Sequence, residues 1–546
     1  MVKRRHADKT EDLGQAMAKY PHLRKYVEEV SAGMGQPEWV MELNKNMRGD
    51  HPSYLYPVGD PIFVHVFRDH EKGKMVYNVI EPRLTEEEEK LYDKILDKMI
   101  DHAHKYKVPN HIEDAGDIIE KIFKEVVKIS DKQATAIDGI IDSKIHLTQL
   151  QHDNIWYYVF RNRVGYGKME PFFYDPYLED IHCTGVGNIK TIHKIFDMVY
   201  TNVEFRDDIE LNKYILDASE RVERPVSDAN SVVDAIMPDG SRVNFIYGRE
   251  LSLEGSSFTV RKFSEVPVSI IQIVNWGTMS AEVAAYLWLC LENGMNIFVC
   301  GETASGKTTT LNASAAFIKP DDKVYTVENT PEVTMPQETW QHLVTREAGK
   351  DTDVTMFTLL IAALRSRPNY IIVGEIRGEE GNVAFQAMQT GHPVMSTFHA
   401  GNPHTMIQRL TGHPINVPIA SIDNLNVVLI QQAVSHGGRM VRRVLSITEI
   451  ERYYDAENKV ITREVFSWDP VNDVHRFRGL YNSYILEKKI ASMLGYADTR
   501  DIYNELDRRK RIIERMVQEE IWNYFDVWEI LSRFQKEGES ALPFVI

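Results

Sequence analysis

The sequence predicts an α/β protein built around one glycine-rich loop. Two observations support this fold class. In residues 295–310, MNIFVCGETASGKTTT, a short apolar run leads into a loop that ends in Gly-Lys-Thr and continues into a helix-like segment. From about residue 268 onward, strand-like and helix-like runs alternate, which is typical of a mainly parallel sheet covered by helices. A preceding α+β domain and a partly helical N-terminal region complete the prediction.

The glycine-rich loop has the chemistry of a nucleotide phosphate site. Glycines allow backbone N–H groups to curl around phosphates, the lysine reaches the β- and γ-phosphates, and the next hydroxyl ligates Mg²⁺. The helix predicted over residues 308–317 points its N-terminal dipole at the same anion. The predicted nucleotide-binding residues are Gly301, Glu302, Thr303, Ala304, Ser305, Gly306, Lys307, Thr308 and Thr309, with Thr308 as a magnesium ligand.

Composition narrows the class of protein. A chain of 546 residues with 43% apolar residues is expected to form two to four domains with substantial cores. The net charge of −17 argues against a nucleic-acid partner, because phosphate backbones need a basic face. Three scattered cysteines without a CxxC pair predict neither a zinc site nor an oxidising compartment. We find no signal peptide and no apolar stretch of 18 residues, so any membrane role is expected to come through a partner.

Four regions follow along the chain. Residues 1–149 are a partly helical N-terminal region, with a small sheet over 54–80 and a helix whose capping box joins Thr85 to Glu88. Residues 150–262 form an α+β lobe that carries Arg242, Arg249 and Arg261 on or beside strands, where arginine is usually a surface residue. Residues 263–267 are a linker. Residues 268–546 form the domain of the glycine-rich loop, with a charged helical end that packs on its core through Tyr524, Phe525, Trp528, Ile530 and Leu531.

Carboxylates and histidines follow several strands of this last domain. An apolar strand over 370–374 ends at Glu375, and we expect it to lie beside the loop-bearing strand, where its carboxylate can polarise water or hold the metal. The strand over 323–328 ends near Glu328 and Glu332. His392 and His399 flank the strand over 393–398, and His399 is the better candidate because ligands bind at the carboxyl ends of parallel strands.

Four of these segments resemble a known family when taken together. GETASGKTTT, VENTPE, RSRPNYIIVGEIRGEE and AMQTGHPVMSTFHA stand in the order of the Walker A motif, Asp box, Walker B motif and His box of the secretion ATPase superfamily, which powers type II secretion, type IV pili and archaella. MPDGSRVNF and GSSFTVRKF look like the arginine segments of its N-terminal domain. The chain looks most like the archaellum motor ATPase in three features: the sequence of the loop, the long N-terminal region and the missing tetracysteine motif.

The resemblance implies a fold, an activity and partners. It implies a RecA-like phosphate-loop ATPase domain hinged to the preceding lobe, assembled as a homohexameric ring that binds ATP and Mg²⁺ between the lobes. It implies a cytoplasmic motor, held at the inner face of the cell membrane by a polytopic platform protein and accessory motor proteins. The residues it marks as catalytic are Glu375, Glu332, Glu328, His399, His392, Arg242, Arg249 and Arg261, with Glu375 and Thr308 at the metal.

Three other interpretations stay open from the sequence. An ATPase for archaeal type IV pili or a type II-like secretion system has the same motor motifs. A nucleic-acid motor with a RecA-like core is disfavoured by the acidic charge and by the lack of a basic, aromatic-rich stretch. A regulatory nucleotide-binding protein with weak hydrolysis is compatible with Asn329 and Asn369, which stand where the family usually has aspartate.

Overall fold

The structure is a computed structural model that describes residues 12–43, 47–49, 51–107, 112–130, 144–263, 266–346, 352–437 and 439–546. The chain divides into two compact units, residues 1–263 and 264–546. This division falls inside the linker predicted at residues 263–267. Within the described residues no helix is both long enough and apolar enough to cross a membrane.

The first unit mixes helices with a large sheet. Its helices are α1 (Leu13–Lys19), α2 (Pro21–Met34), α3 (Glu86–Ala103), α4 (Ile112–Val126), α5 (Gln149–Arg163), α6 (Glu170–Tyr174) and α7 (Asp208–Arg221). Its strands are β1 (Glu38–Trp39), β2 (Ser53–Gly59), β3 (Ile62–Asp69), β4 (Lys74–Ile80), β5 (Val127–Ile129), β6 (Ile145–Leu147), β7 (Leu178–Cys183), β8 (Gly187–His193), β9 (Asp197–Phe205), β10 (Val232–Ile236), β11 (Arg242–Ile246) and β12 (Ser257–Arg261).

Ten of these described strands form one sheet, in the order β1-β2-β3-β4-β9-β8-β7-β12-β11-β10. The strands of residues 38–80 therefore share a sheet with those of 178–261, across the boundary that the sequence places between residues 149 and 150. The short strands β5 and β6 pair separately in parallel. The capping box at the start of α3 is confirmed, since the Thr85 N–H donates to Glu88 Oε2 at 2.8 Å and the Glu88 N–H donates to Thr85 Oγ1 at 3.3 Å.

The second unit is an α/β domain. Its helices are α8 (Ile270–Asn275), α9 (Ala281–Glu292), α10 (Lys307–Ala315), α11 (Met356–Arg365), α12 (Glu380–Gln389), α13 (Pro403–Thr411), α14 (Ile502–Gln518) and α15 (Tyr524–Glu537), with a π-helical segment at Ile485–Ala491. Its strands are β13 (Ile297–Cys300), β14 (Val324–Glu328), β15 (Trp340–Val344), β16 (Tyr370–Ile376), β17 (Val394–Phe398), β18 (Val427–His436), β19 (Arg439–Tyr454), β20 (Lys459–Asp469) and β21 (Val474–Phe477).

The sheet of the second unit has the strand order β15-β14-β16-β17-β13-β18-β19-β20-β21 over the described residues. Strands β13 to β18 pair in parallel, and every residue of β13, β14 and β17 is buried, because helices cover both faces. The loop-bearing strand β13 lies at the centre, between β17 and β18. This is the α/β, RecA-like phosphate-loop arrangement that the sequence predicts.

One prediction about strand neighbours is wrong. The strand that ends near Glu375, β16, pairs with β14 and β17 and not with β13. Strand β17 is inserted between them, so β13 and β16 are about 10 Å apart at the usual strand spacing. Their parallel direction still brings both carboxyl ends to one edge of the sheet.

The far side of the sheet is antiparallel. Strands β18 to β21 form a meander, in which β19 is 16 residues long. The C-terminal helices pack on the core of this unit as predicted, with Tyr524 and Leu531 buried and Trp528 and Ile530 partly buried. The predicted packing of Phe525 on this core is wrong, because the residue is 41% exposed on the outer side of α15.

Candidate nucleotide-binding site

The candidate site lies at the carboxyl edge of the parallel strands. The glycine-rich loop over residues 301–306, called the phosphate loop from here on, follows β13. Glu375 stands near the end of β16, and His399 follows β17. Ligands of open parallel sheets bind at this edge, because loops diverge there and helix N-termini face it. The structure thus brings together residues that lie up to 98 positions apart in the chain.

The phosphate loop leaves no room for side chains at its two glycines. A Cβ at Gly301 would lie 2.1 Å from the Gln431 carbonyl oxygen, and one at Gly306 would lie 2.9 Å from Gln431 Nε2. Gly306 has a φ of +89° and Ala304 a φ of +61°, so the backbone curls in the manner of an anion-binding nest. The Ser305 hydroxyl is buried and has no hydrogen-bond partner among the described residues. This cradle fits phosphate groups.

Lys307 and Thr308 begin helix α10 at the open side of the loop. The Lys307 Nζ donates to the Glu302 carbonyl oxygen at 2.8 Å, which keeps the ammonium folded over the loop. Partial burial lowers the pKa of Lys307, and the nearby charge of Glu375 opposes that effect. Glu302 and Thr309 are exposed, and Thr308 is half-buried in the first helical turn. A phosphate would therefore meet one cation, one hydroxyl and the helix N-terminus.

Glu375 is paired with an arginine that the sequence analysis missed. Arg377 Nη2 donates to Glu375 Oε2 at 2.5 Å, and the two side chains are 70% and 26% exposed. The pKa of Arg377 is raised mainly by this hydrogen bond, while the charges of Glu332 and Glu380 add to it. Arg377 directly follows β16, two positions after Glu375, and residues i and i+2 of extended chain point to the same side. The spacing in EIR therefore indicates this pair.

Glu328 has a different environment from Glu375. It is only 2% exposed, and its Oε1 accepts the backbone N–H groups of Glu332 at 2.9 Å and Val333 at 3.0 Å. Its Oε2 lies 2.8 Å from His342 Nε2. Both carboxylate oxygens are thus engaged in folding the loop after β14. Glu332 follows in that loop, and its charge favours the ammonium form of Lys307.

The two asparagines in place of aspartate also lie in different places. Asn369 immediately precedes β16, at the edge opposite the phosphate loop, where its Oδ1 accepts the Lys323 N–H at 3.0 Å. Asn329 follows β14 on the same edge as the loop, and the Thr345 hydroxyl donates to its Oδ1 at 3.3 Å. Only Asn329 therefore changes the charge near the candidate site.

The two predicted histidines lie at opposite ends of β17. His399 Nε2 is 3.0 Å from the Thr303 hydroxyl, so this imidazole touches the phosphate loop. His392 precedes the strand, and its Nδ1 is 3.1 Å from the Thr390 hydroxyl. Seven residues of extended chain span roughly 20 Å, which places His392 away from the loop. His399 thus lies beside the loop and His392 does not, and a catalytic role for either histidine stays a prediction.

Two residues of a β-hairpin, Gln431 and Arg442, supply three further contacts that the sequence did not reveal. Gln431 in β18 donates from Nε2 to the Ser305 carbonyl at 2.8 Å and accepts the Thr310 hydroxyl at 2.7 Å. Arg442 in β19 donates from Nε to the Ala304 carbonyl at 3.2 Å, across a separation of 138 residues. No local motif predicts contacts over such separations.

The three predicted arginines lie in the first unit. Arg242 in β11 and Arg261 in β12 stand directly opposite each other in the antiparallel ladder, and both are exposed. Arg249 donates from Nε and Nη2 to Asp208 Oδ2, at 3.0 and 2.7 Å. The ladder therefore groups Arg242 with Arg261, while Arg249 is held by a carboxylate of its own unit.

The described residues contain no group of three or more His, Cys, Asp and Glu side chains that could hold a metal ion by themselves. A magnesium ion at this edge would need oxygen ligands from phosphates in addition to those of the protein, which is the usual mode for Mg²⁺ at nucleotide sites. The Thr308 hydroxyl and the Glu375 carboxylate are oxygen donors that fit such a shared site.

Comparison with known proteins finds a matching family model, sequence relatives and solved structures. The model of a family described as type II/IV secretion system protein matches residues 167–514. An uncharacterised protein of Methanocaldococcus jannaschii is 51% identical over 98% of both chains. The type IV secretion system protein PtlH of Bordetella pertussis is 34% identical over 30% of this chain and 52% of its own. Among solved structures, the VirB11 ATPase of the Brucella suis type IV secretion system is 23% identical, with a TM-score of 0.28, over 54% of this chain and 94% of its own.

Proposed function

Because the chain belongs to the type II/IV secretion system protein family, a family of ATPases, we propose that it hydrolyses ATP and uses the energy to drive a secretion or filament-assembly machine. The observation that carries the proposal is the meeting of the phosphate loop and Glu375 at one edge of the parallel sheet. The loop supplies backbone donors, and Glu375 supplies the carboxylate that ATP hydrolysis requires.

Each residue has a definite task in this proposal. The loop N–H groups and Lys307 hold the β- and γ-phosphates, and Lys307 offsets charge that grows on the phosphoryl oxygens as the bond to the leaving ADP breaks. Glu375 orients the attacking water and accepts its proton. A magnesium ion shared by Thr308 and the phosphates would neutralise further charge. The contact of His399 with Thr303 supports a role for this histidine in responding to the γ-phosphate.

Glu375 must leave Arg377 to act as a base. In the structure its Oε2 accepts a hydrogen bond from the Arg377 guanidinium. This bond stabilises the carboxylate and blocks part of its surface. We infer that the site is catalytically competent once nucleotide binding draws the two side chains apart. Since Arg377 is largely exposed, this separation costs little, on the order of the 0.2–1 kcal/mol of a surface ion pair.

Two substitutions test the proposal. Lys307→Ala should weaken ATP binding, because it removes a direct phosphate contact. Glu375→Gln should keep ATP binding but slow turnover by ~10²–10⁴-fold, because it removes the charge and keeps the shape. The nearby exposed Glu379→Gln is the matched control and should hydrolyse ATP at the wild-type rate. A Glu375→Gln protein with wild-type turnover would show that the carboxylate was wrongly assigned.

We further propose a homohexamer that works with a polytopic platform protein of an archaellum, with contact to the membrane only through partners. The resemblance of the loop sequence and of the long N-terminal region favours the archaellum. An archaeal pilus motor, which has the same order of motor motifs, is the alternative. A deletion strain that loses swimming but keeps surface adhesion fits the archaellum, and the reverse fits a pilus. Turnover stimulated by DNA would instead favour a nucleic-acid motor.

A further inference from the structure

The β18–β19 hairpin reaches beyond the sheet and lies against the phosphate loop. Strand β18 pairs with β13 only as far as Cys300↔Ile430, which is where the loop begins. From Gln431 onward β18 continues with β19 alone, after a register shift between Ile430 and Gln431. The polar side chains at the start of this extension therefore meet the loop from outside.

Two consecutive carbonyl groups of the loop are held by this hairpin. Arg442 Nε donates to the carbonyl of Ala304, and Gln431 Nε2 donates to the carbonyl of Ser305. In a trans peptide the N–H points away from the C=O of the same plane. Fixing these two carbonyls outward therefore turns the N–H groups of Ser305 and Gly306 toward the interior of the loop, where phosphates bind.

The loop backbone needs such support. Ala304 has a left-handed φ of +61°, which is unfavourable for an L-residue with a Cβ. Among the described residues, the Ser305 N–H has only a long hydrogen bond of 3.4 Å, to the Glu302 carbonyl across the turn. Without external hydrogen bonds, the peptide planes at Ala304 and Ser305 could rotate and lose the anion-binding arrangement.

Arg442 is suited to this contact, whereas its neighbour is not. Arg443 is buried, and Asp473 binds it through two hydrogen bonds of 2.7 Å. Arg442 is exposed and forms no ion pair with any described residue. No carboxylate of the described residues pairs with it, so its positive charge beside the phosphate loop also raises the local potential for an anion.

We propose that the hairpin holds the phosphate loop in its anion-binding conformation, and that Arg442 is a positioning residue for nucleotide phosphates. Gln431 gives the second, buried hydrogen bond of the same brace. The inference rests on the proposed function, since it takes the loop to be a nucleotide site. It adds a residue from outside all four sequence motifs to that site.

The test compares Arg442→Ala with Arg452→Ala, which removes an exposed arginine from the same strand, beside Tyr454 and away from the loop. Calorimetric titration with ADP and with inorganic pyrophosphate should show both ligands weakened about tenfold in Arg442→Ala, equivalent to about 1.4 kcal/mol. The two losses should be equal, because the brace acts on phosphate binding alone. Arg452→Ala should bind both ligands as the wild type does.

A conservative variant separates orientation from charge. Arg442→Lys keeps the charge but lacks the planar Nε donor, so we expect it to recover only part of the loss. Full recovery of phosphate affinity in Arg442→Lys would overturn the orienting role. A loss of ADP affinity in Arg442→Ala without a loss of pyrophosphate affinity would overturn it as well. Wild-type affinity in Arg442→Ala would overturn the inference altogether.

A second measurement does not depend on nucleotide. Hydrogen exchange of the loop amides over residues 303–306 should be faster in Arg442→Ala than in Arg452→Ala, because the freed peptide planes rotate more often. Equal exchange in the two variants would refute the brace. A wild-type protein that binds neither ADP nor pyrophosphate would refute the proposed function, while the exchange comparison would still decide on the brace.

Discussion

The buried carboxylate of Glu328 should support the fold more than the chemistry. Its two oxygens satisfy two backbone N–H groups and the imidazole of His342, and the residue is almost fully buried. Glu328→Ala removes all three acceptor contacts at once. Each buried N–H left without a partner costs ~1–3 kcal/mol, so we expect a loss of about 2–5 kcal/mol in the free energy of unfolding.

Glu328→Gln separates the two possible roles. Glutamine keeps one oxygen for the N–H groups of Glu332 and Val333, and its amide N–H can donate to His342 in the appropriate imidazole tautomer. The fold should then be nearly as stable as in the wild type, with turnover reduced by less than about tenfold. Glu375→Gln, in contrast, should keep its stability and lose turnover.

The assay pairs thermal unfolding, followed by circular dichroism, with steady-state ATP turnover. For a domain of this size, 1 kcal/mol shifts the unfolding midpoint by roughly 2–4 °C, so Glu328→Ala should lower the midpoint by roughly 5–15 °C. Glu338→Ala removes an exposed carboxylate from the same loop and should leave the midpoint unchanged. The reasoning fails if Glu328→Ala unfolds like the wild type, or if stable Glu328→Gln is as inactive as Glu375→Gln.

Two further predictions concern the arginines of the first unit. The first is that Arg242 or Arg261 completes the phosphate site of a neighbouring subunit. Inactive Arg242→Ala and Lys307→Ala proteins should then regain some ATPase activity when mixed, because intact sites reform at mixed interfaces. Wild-type rates in rings formed by each single Arg→Ala protein would contradict this. Arg249→Ala should leave ATP turnover unchanged and have little effect on the free energy of unfolding, since it breaks an exposed ion pair with Asp208. A tenfold fall in turnover for Arg249→Ala would show that this arginine leaves Asp208 to act at the site.

The local parts of the site could be predicted from the sequence. The strand, loop and helix around Lys307 are contiguous, and each residue type has one physical reason to stand where it does. The carboxyl-end position of His399 also follows from strand direction alone. These features depend on short-range geometry, which the order of residues determines directly.

The spatial order of the strands could not be predicted in the same way. Strands β14, β15, β16 and β17 follow β13 along the chain, but this chain order does not say that β17 lies next to β13 and separates it from β16. The contact between Arg442 and Ala304 has the same origin, because it depends on how far a hairpin extends beyond its neighbours. In the sequence, Glu328 and Glu375 are both carboxylates at the end of a strand. Only their burial and their hydrogen-bond partners in the structure distinguish them.

The insertion of β17 has a consequence for how the site could work. Its carboxyl end touches the phosphate loop through the hydrogen bond between His399 and Thr303, while the Thr397 hydroxyl donates to the Gly374 carbonyl at 2.6 Å in β16. The peptide next to that carbonyl carries Glu375. One buried strand therefore contacts both the loop that would hold the γ-phosphate and the strand that carries the carboxylate. A phosphate that displaced His399 from Thr303 would move the end of β17. Because Glu375 directly follows the Gly374 carbonyl that Thr397 binds, it is the first titratable side chain that this movement would reach.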